Sequence, residues 1–361
     1  MLRDKSALIA MSGGVDSSVA ALLTLEHGFD CVGSMMKLFS DEEVDCREKS
    51  CCSLTDADDA RAVANKLGIP FYVFNFSDVF KEKVIHRFVE IYQNGGTPNP
   101  CIDCNRFLKF GKLLHRAHET GRNYLVTGHY AQIKKDLASD RFLLKKSVDL
   151  EKDQSYVLYA MTQDQLKHTL LPLGGMTKSQ TREIAIDNGF VNAKKQDSQD
   201  ICFVPNGNYA DFINKYTGKP PAKGQFLDTD GSYLGEHKGI IYYTIGQRRG
   251  LGLSGQHPMY VCSVCAEANT VTVGTTDKLN AKTLIARDIN LIPIKQLDSA
   301  IKVHAKLRYK QVEQPATVWQ LDSDTLRIEF DAPQRAPAKG QAVVLYDGDL
   351  VIGGGTIDGT A

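Results

Sequence analysis

Residues 7–18 read "ALIAMSGGVDSS", and this stretch determines the class of fold that the sequence predicts. Its apolar first half is typical of a buried strand, and the apolar Val19, Leu22 and Leu23 after its second half predict a helix. The same alternation continues along the chain, with a strand expected at 29–39, a helix at 56–68 and a strand at 70–76. The sequence therefore predicts an α/β fold with a parallel sheet covered by helices.

The loop between the first strand and its helix suits a phosphate group. Ser12, Gly13 and Gly14 are small enough for the backbone to approach an anion at the positive end of the helix. Asp16 adds a carboxylate that can position a magnesium–pyrophosphate complex. "SGG" alone would be an ordinary glycine-rich turn, and the spacing of a Walker A loop is absent. The full string "SGGVDSS" resembles the pyrophosphatase-loop motif of enzymes that split ATP into adenylate and pyrophosphate.

Length and charge limit what the chain can be. Its 361 residues are enough for two or three domains with separate cores. Lys and Arg together number 43, as do Asp and Glu, so a polyanion must be met by local basic patches. The sequence shows no apolar run of 18 residues and no secretory leader pattern, so we expect a cytoplasmic protein with no membrane partner. In that compartment the nine cysteines should remain mostly as thiols.

The chain is predicted to divide into three domains. Helices at 78–93 and 106–119 and a strand at 124–133 complete the first domain, and Gly128 and His129 are ligand-binding candidates because loops at the carboxyl ends of parallel strands bind ligands. Further on, glycine-rich alternating runs predict strands at 239–253 and 257–264, and from about 280 a small all-β barrel or sandwich. The expected domains are an ATP-binding domain at 1–204, a small central β-rich domain at 205–278 and a C-terminal β-barrel at 279–361.

The cysteines allow several kinds of site. In "TPNPCIDCN" (97–105), Cys101 and Cys104 have the spacing of half a zinc site, a redox pair, or a catalytic thiol with a neighbour. Cys202, between Ile201 and Phe203, is a core residue when considered alone. If the loop activates a substrate by adenylation, a thiolate or persulfide is a better nucleophile near neutral pH than a largely protonated amine. "CSVC" (262–265) is at most half a zinc site, and "CREKSCC" (46–52) is expected to be a loop.

Seven motifs together resemble one family. "AMSGGVDSS", "TPNPCIDCN", "LVTGHYA", "KDQSYVLY", "DSQDICF", "YTIGQRRGLG" and "LRYK" follow the order and spacing of the tRNA-uridine 2-sulfurtransferases, also called tRNA-specific 2-thiouridylases. The resemblance spans nearly the whole chain. It implies an adenine nucleotide alpha hydrolase-like first domain, a central β-rich domain and a C-terminal β-barrel. It also implies that ATP adenylates the C2 oxygen of the wobble uridine in the tRNAs for Lys, Glu and Gln, and that sulfur then replaces this oxygen.

The resemblance assigns roles to individual residues. It implies that ATP, with Mg²⁺, is bound by Ala10, Met11, Ser12, Gly13, Gly14, Val15, Asp16, Ser17, Met36 and Gly128. It implies that Cys202 carries a persulfide from a cysteine desulfurase or sulfur-relay protein, and that Cys104 releases the sulfur, leaving a transient Cys104–Cys202 disulfide. The implied tRNA contacts are His129, Lys152, Asp153, Gln154, Arg308, Tyr309 and Gln341. The basic run around Arg308, taken alone, would be a solvated strand face.

Cys101 departs from the commoner pattern of this family. An Asp usually follows "PNP" there and is assigned acid/base work, and a thiol with a reference pKa of about 8.5 cannot replace a carboxylate with one of about 3.9. Either another group or water takes that step and no protein-bound metal is needed, or Cys101, Cys104 and Cys202 hold an iron–sulfur cluster that accepts sulfide. We favour the persulfide. Two alternative functions are an ATP-dependent amide or argininosuccinate-type ligase, which leaves the cysteines unused, and a noncatalytic RNA-binding protein, which leaves the phosphate loop unused.

Overall fold

A computed structural model describes residues 5–39, 54–197, 201–204, 207–254 and 257–360. The "CREKSCC" segment lies outside these residues. The chain forms two compact units, of which the first comprises 1–84, 101–207 and 349–351. The second comprises 85–100, 208–348 and 352–361. The domain boundaries at 204 and 278 stay a prediction.

The first unit contains the predicted parallel sheet. Its strands are β1 (Ser6–Ala10), β2 (Asp30–Lys37), β3 (Phe71–Asn75), β4 (Tyr124–Val126) and, further along the chain, β7 (Thr169–Leu170). Their order is β3-β2-β1-β4-β7, and every pairing is parallel. On one side of β1 the sheet continues with β2 and then β3, and on the other side it continues with β4 and then β7, which come later in the chain. Strand β1 therefore lies at the switch point where such sheets bind ligands. The predicted fold class is confirmed.

Helices follow the strands as the pattern predicted. Helix α1 (Val15–Glu26) begins directly after the glycine loop and packs a buried face that includes Val19 and Leu22. Helix α2 (Leu54–Leu67) ends at Gly68, whose φ of +69° suits a residue without a side chain. The other helices are α3 (Ser77–Phe80), α4 (His86–Gln93), α5 (Pro100–Asp103), α6 (Leu114–Glu119), α7 (Ser155–Leu158), α8 (Gln163–Lys167), α9 (Lys178–Asp187) and α10 (Tyr209–Thr217). Two π-helical stretches, Lys81–Ile85 and Cys104–Leu113, join α3 to α4 and α5 to α6.

The single strand predicted over 124–133 is wrong. Strand β4 ends at Val126, and a second strand, β5 (Ala131–Lys135), pairs antiparallel with β6 (Phe142–Lys146) outside the parallel sheet. Residues 127–130 form the connection between them. Gly128 and His129 therefore lie in a loop at the carboxyl end of a sheet strand, as expected for ligand-binding candidates.

The second unit holds the two β-rich regions. Strands β8 (Gly224–Asp228), β9 (Tyr233–His237), β10 (Tyr260–Cys265) and β11 (Thr270–Gly274) form one sheet in the order β10-β11-β8-β9. The strand predicted over 239–253 is wrong, because its first residues turn in a 3₁₀ helix (Ile240–Tyr242) and the rest is irregular. Gly246, Gly250 and Gly252 in this stretch have φ between +71° and +86°, which is incompatible with an extended strand.

The C-terminal barrel is closed by six strands. They are β12 (Asn280–Leu291), β13 (Ile301–Lys306), β14 (Gln314–Gln320), β15 (Thr325–Arg335), β16 (Ala342–Asp347) and β17 (Leu350–Thr360). The order is β12-β15-β14-β13-β16-β17, and pairing of β12 with β17 completes the ring. The predicted barrel is confirmed.

Aromatic rings join the early segment 85–100 to helix α10 within the second unit. Tyr92 stacks on Tyr209 with ring centroids 4.4 Å apart, and Phe88 contacts Phe212 edge to face at 6.2 Å. Phe88 and Tyr92 are buried. Phe88 and Tyr92 of helix α4 therefore have core partners more than a hundred residues further along the chain.

Candidate nucleotide and cysteine site

The conformation of the loop after β1 is fixed by hydrogen bonds of its own Ser17 hydroxyl. Gly14 is in an extended conformation immediately before α1. The Ser17 hydroxyl donates to the Gly14 carbonyl (3.0 Å) and accepts from the Ser12 N–H (3.2 Å). Met11 is buried beneath the loop, whereas Ser12 is exposed and Asp16 is half-exposed. The loop thus presents its outer side at the positive end of α1, the position at which anions bind.

Two glycines make the site compact. Gly13 has φ +74°, and a Cβ there would lie 2.3 Å from the Asp56 carbonyl oxygen. A Cβ on Gly128 would lie 2.7 Å from the backbone carbon of Asp16 and 2.8 Å from the Ser17 nitrogen. The structure therefore places the predicted Gly128 directly against the predicted loop. Met36 lies at the carboxyl end of the adjacent strand β2 and is half-buried.

Asp16 forms an ion pair that the sequence did not reveal. The Lys178 ammonium lies 2.7 Å and 2.8 Å from the two carboxylate oxygens of Asp16. The Tyr130 hydroxyl donates to the same carboxylate at 2.9 Å. Lys178 is nearly buried, and burial raises the pKa of Tyr130 far above its usual value, so its hydroxyl remains a donor. Asp16 is thus fixed in place from two directions.

Asp197 is the second carboxylate bound to Lys178. Its Oδ1 lies 2.7 Å from the Lys178 ammonium and 3.3 Å from Arg182, and its Oδ2 lies 2.9 Å from Lys152. Burial acts to raise the pKa of Asp197, but the hydrogen bonds from Lys178 and Lys152 outweigh it and hold that pKa below 3.8. Asp197 is therefore ionised at neutral pH. It links the phosphate loop to the segment that leads to Cys202, five residues further on.

Two further side chains, Asn192 and Lys195, support the loop around Gly13. Asn192 is buried, and its amide donates to the Gly13 carbonyl (2.9 Å) and to the Ser18 hydroxyl (3.0 Å). Lys195 lies 2.6 Å from Asp56 and from Asp59. These two hydrogen bonds raise the pKa of Lys195 against the opposing effect of burial. No local motif in the sequence marks Asn192, Lys195 or Lys178, so none of them was predicted.

The predicted tRNA-contacting residues 152–154 lie beside this network. Lys152 binds Asp197, as described above. The Asp153 carboxylate is buried and accepts from the Ser147 N–H (2.9 Å) and the Ser155 hydroxyl (2.7 Å). Gln154 accepts from the Tyr130 N–H at 3.0 Å. The three residues thus form a turn tied to Tyr130 and to Asp197, and their contact with tRNA stays a prediction.

His129 is buried and uncharged. Its Nδ1 is 2.8 Å from the Thr127 hydroxyl, and its Nε2 is 3.5 Å from the Lys109 ammonium. Burial, together with the charge of Lys109, lowers the pKa of His129 well below 6.5. Any contact that His129 makes with tRNA at neutral pH would therefore be that of a neutral imidazole.

The two predicted catalytic cysteines both belong to the first unit. Cys104 is the first residue of the π-helical stretch Cys104–Leu113 and is half-buried, whereas Cys101 is exposed. Asn105, directly after Cys104, is buried and donates to the Val157 carbonyl at 3.0 Å. Cys202 is also half-buried, and its neighbour Phe203 contacts Phe80 edge to face at 5.5 Å. Each of the two predicted catalytic cysteines is thus followed directly by a residue that is fixed in the core. Their catalytic roles stay a prediction.

The three candidate tRNA residues of the second unit lie in the barrel region. Arg308 donates to the Ala336 carbonyl at 2.5 Å, and Tyr309 is 36% exposed. The Gln341 amide donates to the carbonyls of Thr97 (3.0 Å) and Pro98 (3.2 Å). Gln341 therefore holds the start of "TPNPCIDCN" in this structure. A tRNA contact at all three positions stays a prediction.

The described residues lack two kinds of feature. No group of three or more His, Cys, Asp or Glu side chains there is arranged to hold a metal ion. No helix among them is long and apolar enough to cross a membrane.

Three family models and two relatives of similar length match nearly the whole chain. Family models match it over 5–206 (tRNA methyl transferase HUP domain), 210–275 (tRNA methyl transferase PRC-barrel domain) and 281–357 (Aminomethyltransferase beta-barrel domain). It is 51% identical to the tRNA-specific 2-thiouridylase MnmA of Clostridioides difficile over 99% of both chains. It is 50% identical to that of Acetivibrio thermocellus over 98% of this chain and 99% of the relative. A solved 4-thiouridine synthetase–RNA complex with bound ATP aligns at 17% identity and TM-score 0.37, over 59% of this chain and 50% of that one.

Proposed function

Because the chain belongs to the family of tRNA-specific 2-thiouridylases, we propose that it catalyses ATP-dependent 2-thiolation of the wobble uridine in the tRNAs for Lys, Glu and Gln. The full-length match carries this proposal. The loop around Asp16 supports it, because its open outer side lies at a helix amino terminus beside a parallel sheet.

The first step is adenylation of the uridine C2 oxygen. ATP binds with its phosphates against the N–H groups of the loop, and the uridine oxygen attacks the α-phosphorus while pyrophosphate leaves. Mg²⁺ bound with ATP would be held through Asp16 and would neutralise charge on the leaving pyrophosphate. Both oxygens of Asp16 are bonded to Lys178, so we propose that Lys178 turns from Asp16 to the pyrophosphate when ATP binds. Asp197 retains the ammonium group close by during this exchange.

The second step transfers sulfur. A cysteine desulfurase or sulfur-relay protein loads Cys202 as a persulfide, whose outer sulfur attacks C2 and displaces AMP. The Cys104 thiolate then attacks the Cys202 sulfur, which breaks the S–S bond and leaves the sulfur on the uridine. A Cys104–Cys202 disulfide results, and a cellular thiol reductant restores both thiols.

The tRNA is expected to contact both units. In the first unit, the turn at 152–154 and the neutral His129 lie next to the nucleotide loop. In the second unit, Arg308, Tyr309 and Gln341 are the proposed contacts. Phosphate contacts position the RNA, whereas its sequence is recognised through unpaired bases.

The described residues do not favour the iron–sulfur alternative, because no group of three or more His, Cys, Asp or Glu side chains among them is placed to hold a metal ion. We therefore derive no step through such a cluster. Anaerobic purification followed by iron and acid-labile sulfide analysis of the parent and of Cys101→Ala tests this choice. Stoichiometric iron that supports turnover and is lost in the variant would replace the persulfide mechanism.

The proposed function is tested by reconstitution. Pyrophosphate release from ATP is measured with and without unmodified tRNA, and thiolation is then followed with sulfur fed by a desulfurase. We expect tRNA-dependent release, which Asp16→Ala abolishes. Cys202→Ser should retain pyrophosphate release but lose thiolation. Release that depends on an amine and not on tRNA would favour the ligase, and absence of any ATP turnover would favour a noncatalytic RNA-binding protein.

A further inference from the structure

A buried tyrosine beside the nucleotide loop, Tyr130, is held by its hydroxyl group between two elements. Tyr130 is only 2% exposed, and its hydroxyl donates to Asp16 Oδ1 at 2.9 Å. The same hydroxyl lies 3.0 Å from the hydroxyl of Thr181, which is buried in helix α9 and donates to the Thr177 carbonyl at 3.1 Å. The phenol oxygen is therefore confined between helix α9 and Asp16.

The backbone of Tyr130 is fixed as well. Its N–H donates to the side-chain oxygen of Gln154 at 3.0 Å, and its carbonyl accepts from the Gln154 N–H at 2.8 Å. Strand β5 begins with the next residue, Ala131. The position of the Tyr130 hydroxyl is therefore set by the fold, and it does not depend on the other partner of Asp16.

That other partner, Lys178, carries a charge. Its ammonium lies 2.7 Å and 2.8 Å from the two oxygens of Asp16 and 5.8 Å from the centre of the Tyr130 ring. In the proposed adenylation step this ammonium turns to the pyrophosphate, so Asp16 loses both of these hydrogen bonds. Burial raises the pKa of Tyr130 far above its usual value, so its hydroxyl stays a neutral donor. Of the two partners, Tyr130 is the one that can stay on Asp16 while ATP is bound.

We propose that Tyr130 is a positioning residue for adenylation, whose hydroxyl keeps the Asp16 carboxylate in place after Lys178 has turned to the pyrophosphate. This inference rests on the proposed function and deepens it, because it names the group that holds Asp16 in the ATP-bound state. In this role Tyr130 acts through Asp16 and contacts no reacting atom. Its contribution should appear mainly in the transition state, when charge develops on the leaving pyrophosphate, and less in the binding of ATP.

The first test is Tyr130→Phe, which removes the hydroxyl and keeps the ring. The Thr181 hydroxyl retains the Thr177 carbonyl as its acceptor, so it does not become an unpaired buried donor. Because the lost hydrogen bond is to a charged group, kcat for tRNA-dependent pyrophosphate release should fall about 10- to 100-fold, while KM for ATP changes by less than about twofold. The matched control is Tyr243→Phe in the second unit, which removes another buried hydroxyl, one that accepts from the Lys238 N–H at 3.4 Å. It should leave kcat unchanged.

A second measurement needs neither turnover nor ATP. Lys178→Met removes the ammonium from Asp16 and leaves Tyr130 on it, as proposed for the ATP-bound state. Hydrogen exchange of the backbone amides at 18–20, the first of which donates to the Gly14 carbonyl at 3.3 Å, reports on the start of helix α1. With Lys178 present, Tyr130→Phe should change these exchange rates by less than about threefold, because the ion pair still holds Asp16. In Lys178→Met the same substitution should change them about tenfold or more.

Three outcomes would overturn the inference. The first is an unchanged kcat in Tyr130→Phe while the parent releases pyrophosphate normally. The second is an equal loss of kcat in Tyr243→Phe, which would indicate the general cost of losing a buried hydroxyl. The third is an equal effect of Tyr130→Phe on amide exchange with and without the Lys178 ammonium, which would make Tyr130 a packing residue. A parent protein that releases no pyrophosphate from ATP in the presence of tRNA would instead refute the proposed function.

Discussion

Replacement of Lys178 by Met should uncouple the phosphate loop from Asp197. The ammonium makes charge-assisted contacts of 2.7–2.8 Å to two carboxylates, and its side chain is only 11% exposed. Hydrogen bonds to charged groups contribute about 1.5–3 kcal/mol, whereas exposed pairs contribute at most about 1 kcal/mol. Since Asp197 is 25% exposed, we expect a Lys178–Asp197 coupling energy of about 1–2.5 kcal/mol.

A double-mutant cycle with Lys178→Met, Asp197→Asn and the double variant measures that coupling. The sole tryptophan, Trp319, lies in barrel strand β14, so its fluorescence reports on the second unit and not on this site. Hydrogen exchange of the backbone amides at 182–187, in helix α9, is the appropriate local measurement. The expected coupling corresponds to about a 5- to 70-fold nonadditive change in exchange rate.

Two controls define the outcome. Lys178→Arg keeps the positive charge and should retain most of the protection of helix α9. The Trp319 unfolding transition should not shift in any of these variants. A coupling energy below about 0.5 kcal/mol would mean that Lys178 and Asp197 act independently, and the proposed link would then be wrong.

Three further predictions concern the same site. Gly128→Ala should abolish ATP binding measured by calorimetry while tRNA binding persists, because its Cβ would lie 2.7 Å from the Asp16 backbone; unchanged ATP affinity would show that the loop can move aside. Asn192→Ala should weaken ATP binding about fivefold, since one hydrogen bond of about 1 kcal/mol to the Gly13 carbonyl is lost; Asn188→Ala, on the neighbouring helix end, is the control and should change little. The pKa of Asp197 is lowered, so its stabilising effect is complete above its unfolded pKa of about 3.9 and is lost as the pH falls through the lower folded value. The difference in urea midpoint between pH 6 and pH 3 should therefore be smaller in Asp197→Asn than in the parent, and an equal difference would contradict the assignment.

The nucleotide loop could be predicted because its signals are local. Strand, glycines and helix follow one another within residues 7–26, and each has a conformational requirement that the residue types reveal. The strand at 124–133 was predicted wrongly because residue types that favour strands, such as Thr127 and Tyr130, continue between its two halves, although the two halves pair with different partners. Periodicity reports which residues are apolar, and it cannot show that a strand changes sheets.

The supports of the loop could not be predicted in the same way. Lys178 is 162 residues from Asp16 along the chain, and Asn192 is 179 residues from Gly13. A lysine at the start of a helix is ordinarily solvated, so nothing in its local sequence indicates a bridge between two carboxylates. Only the folded chain brings these side chains together. The same holds for Gln341, whose contact with Thr97 spans 244 residues.

The division of the chain into units has a consequence for its synthesis. Segment 85–100 is made early, yet its core partners on α10 and its contacts with residues 339–341 are made later, the last of them near the end of translation. At about 5–20 residues per second, a nascent chain waits on the order of ten seconds or more between these events. Thr97 and Pro98, which precede the cysteine pair in the chain, are therefore held by Gln341 only when the ribosome has nearly finished. A premature stop before residue 341 would leave Thr97 and Pro98 without this contact even though the residues of the first unit up to 207 had been made.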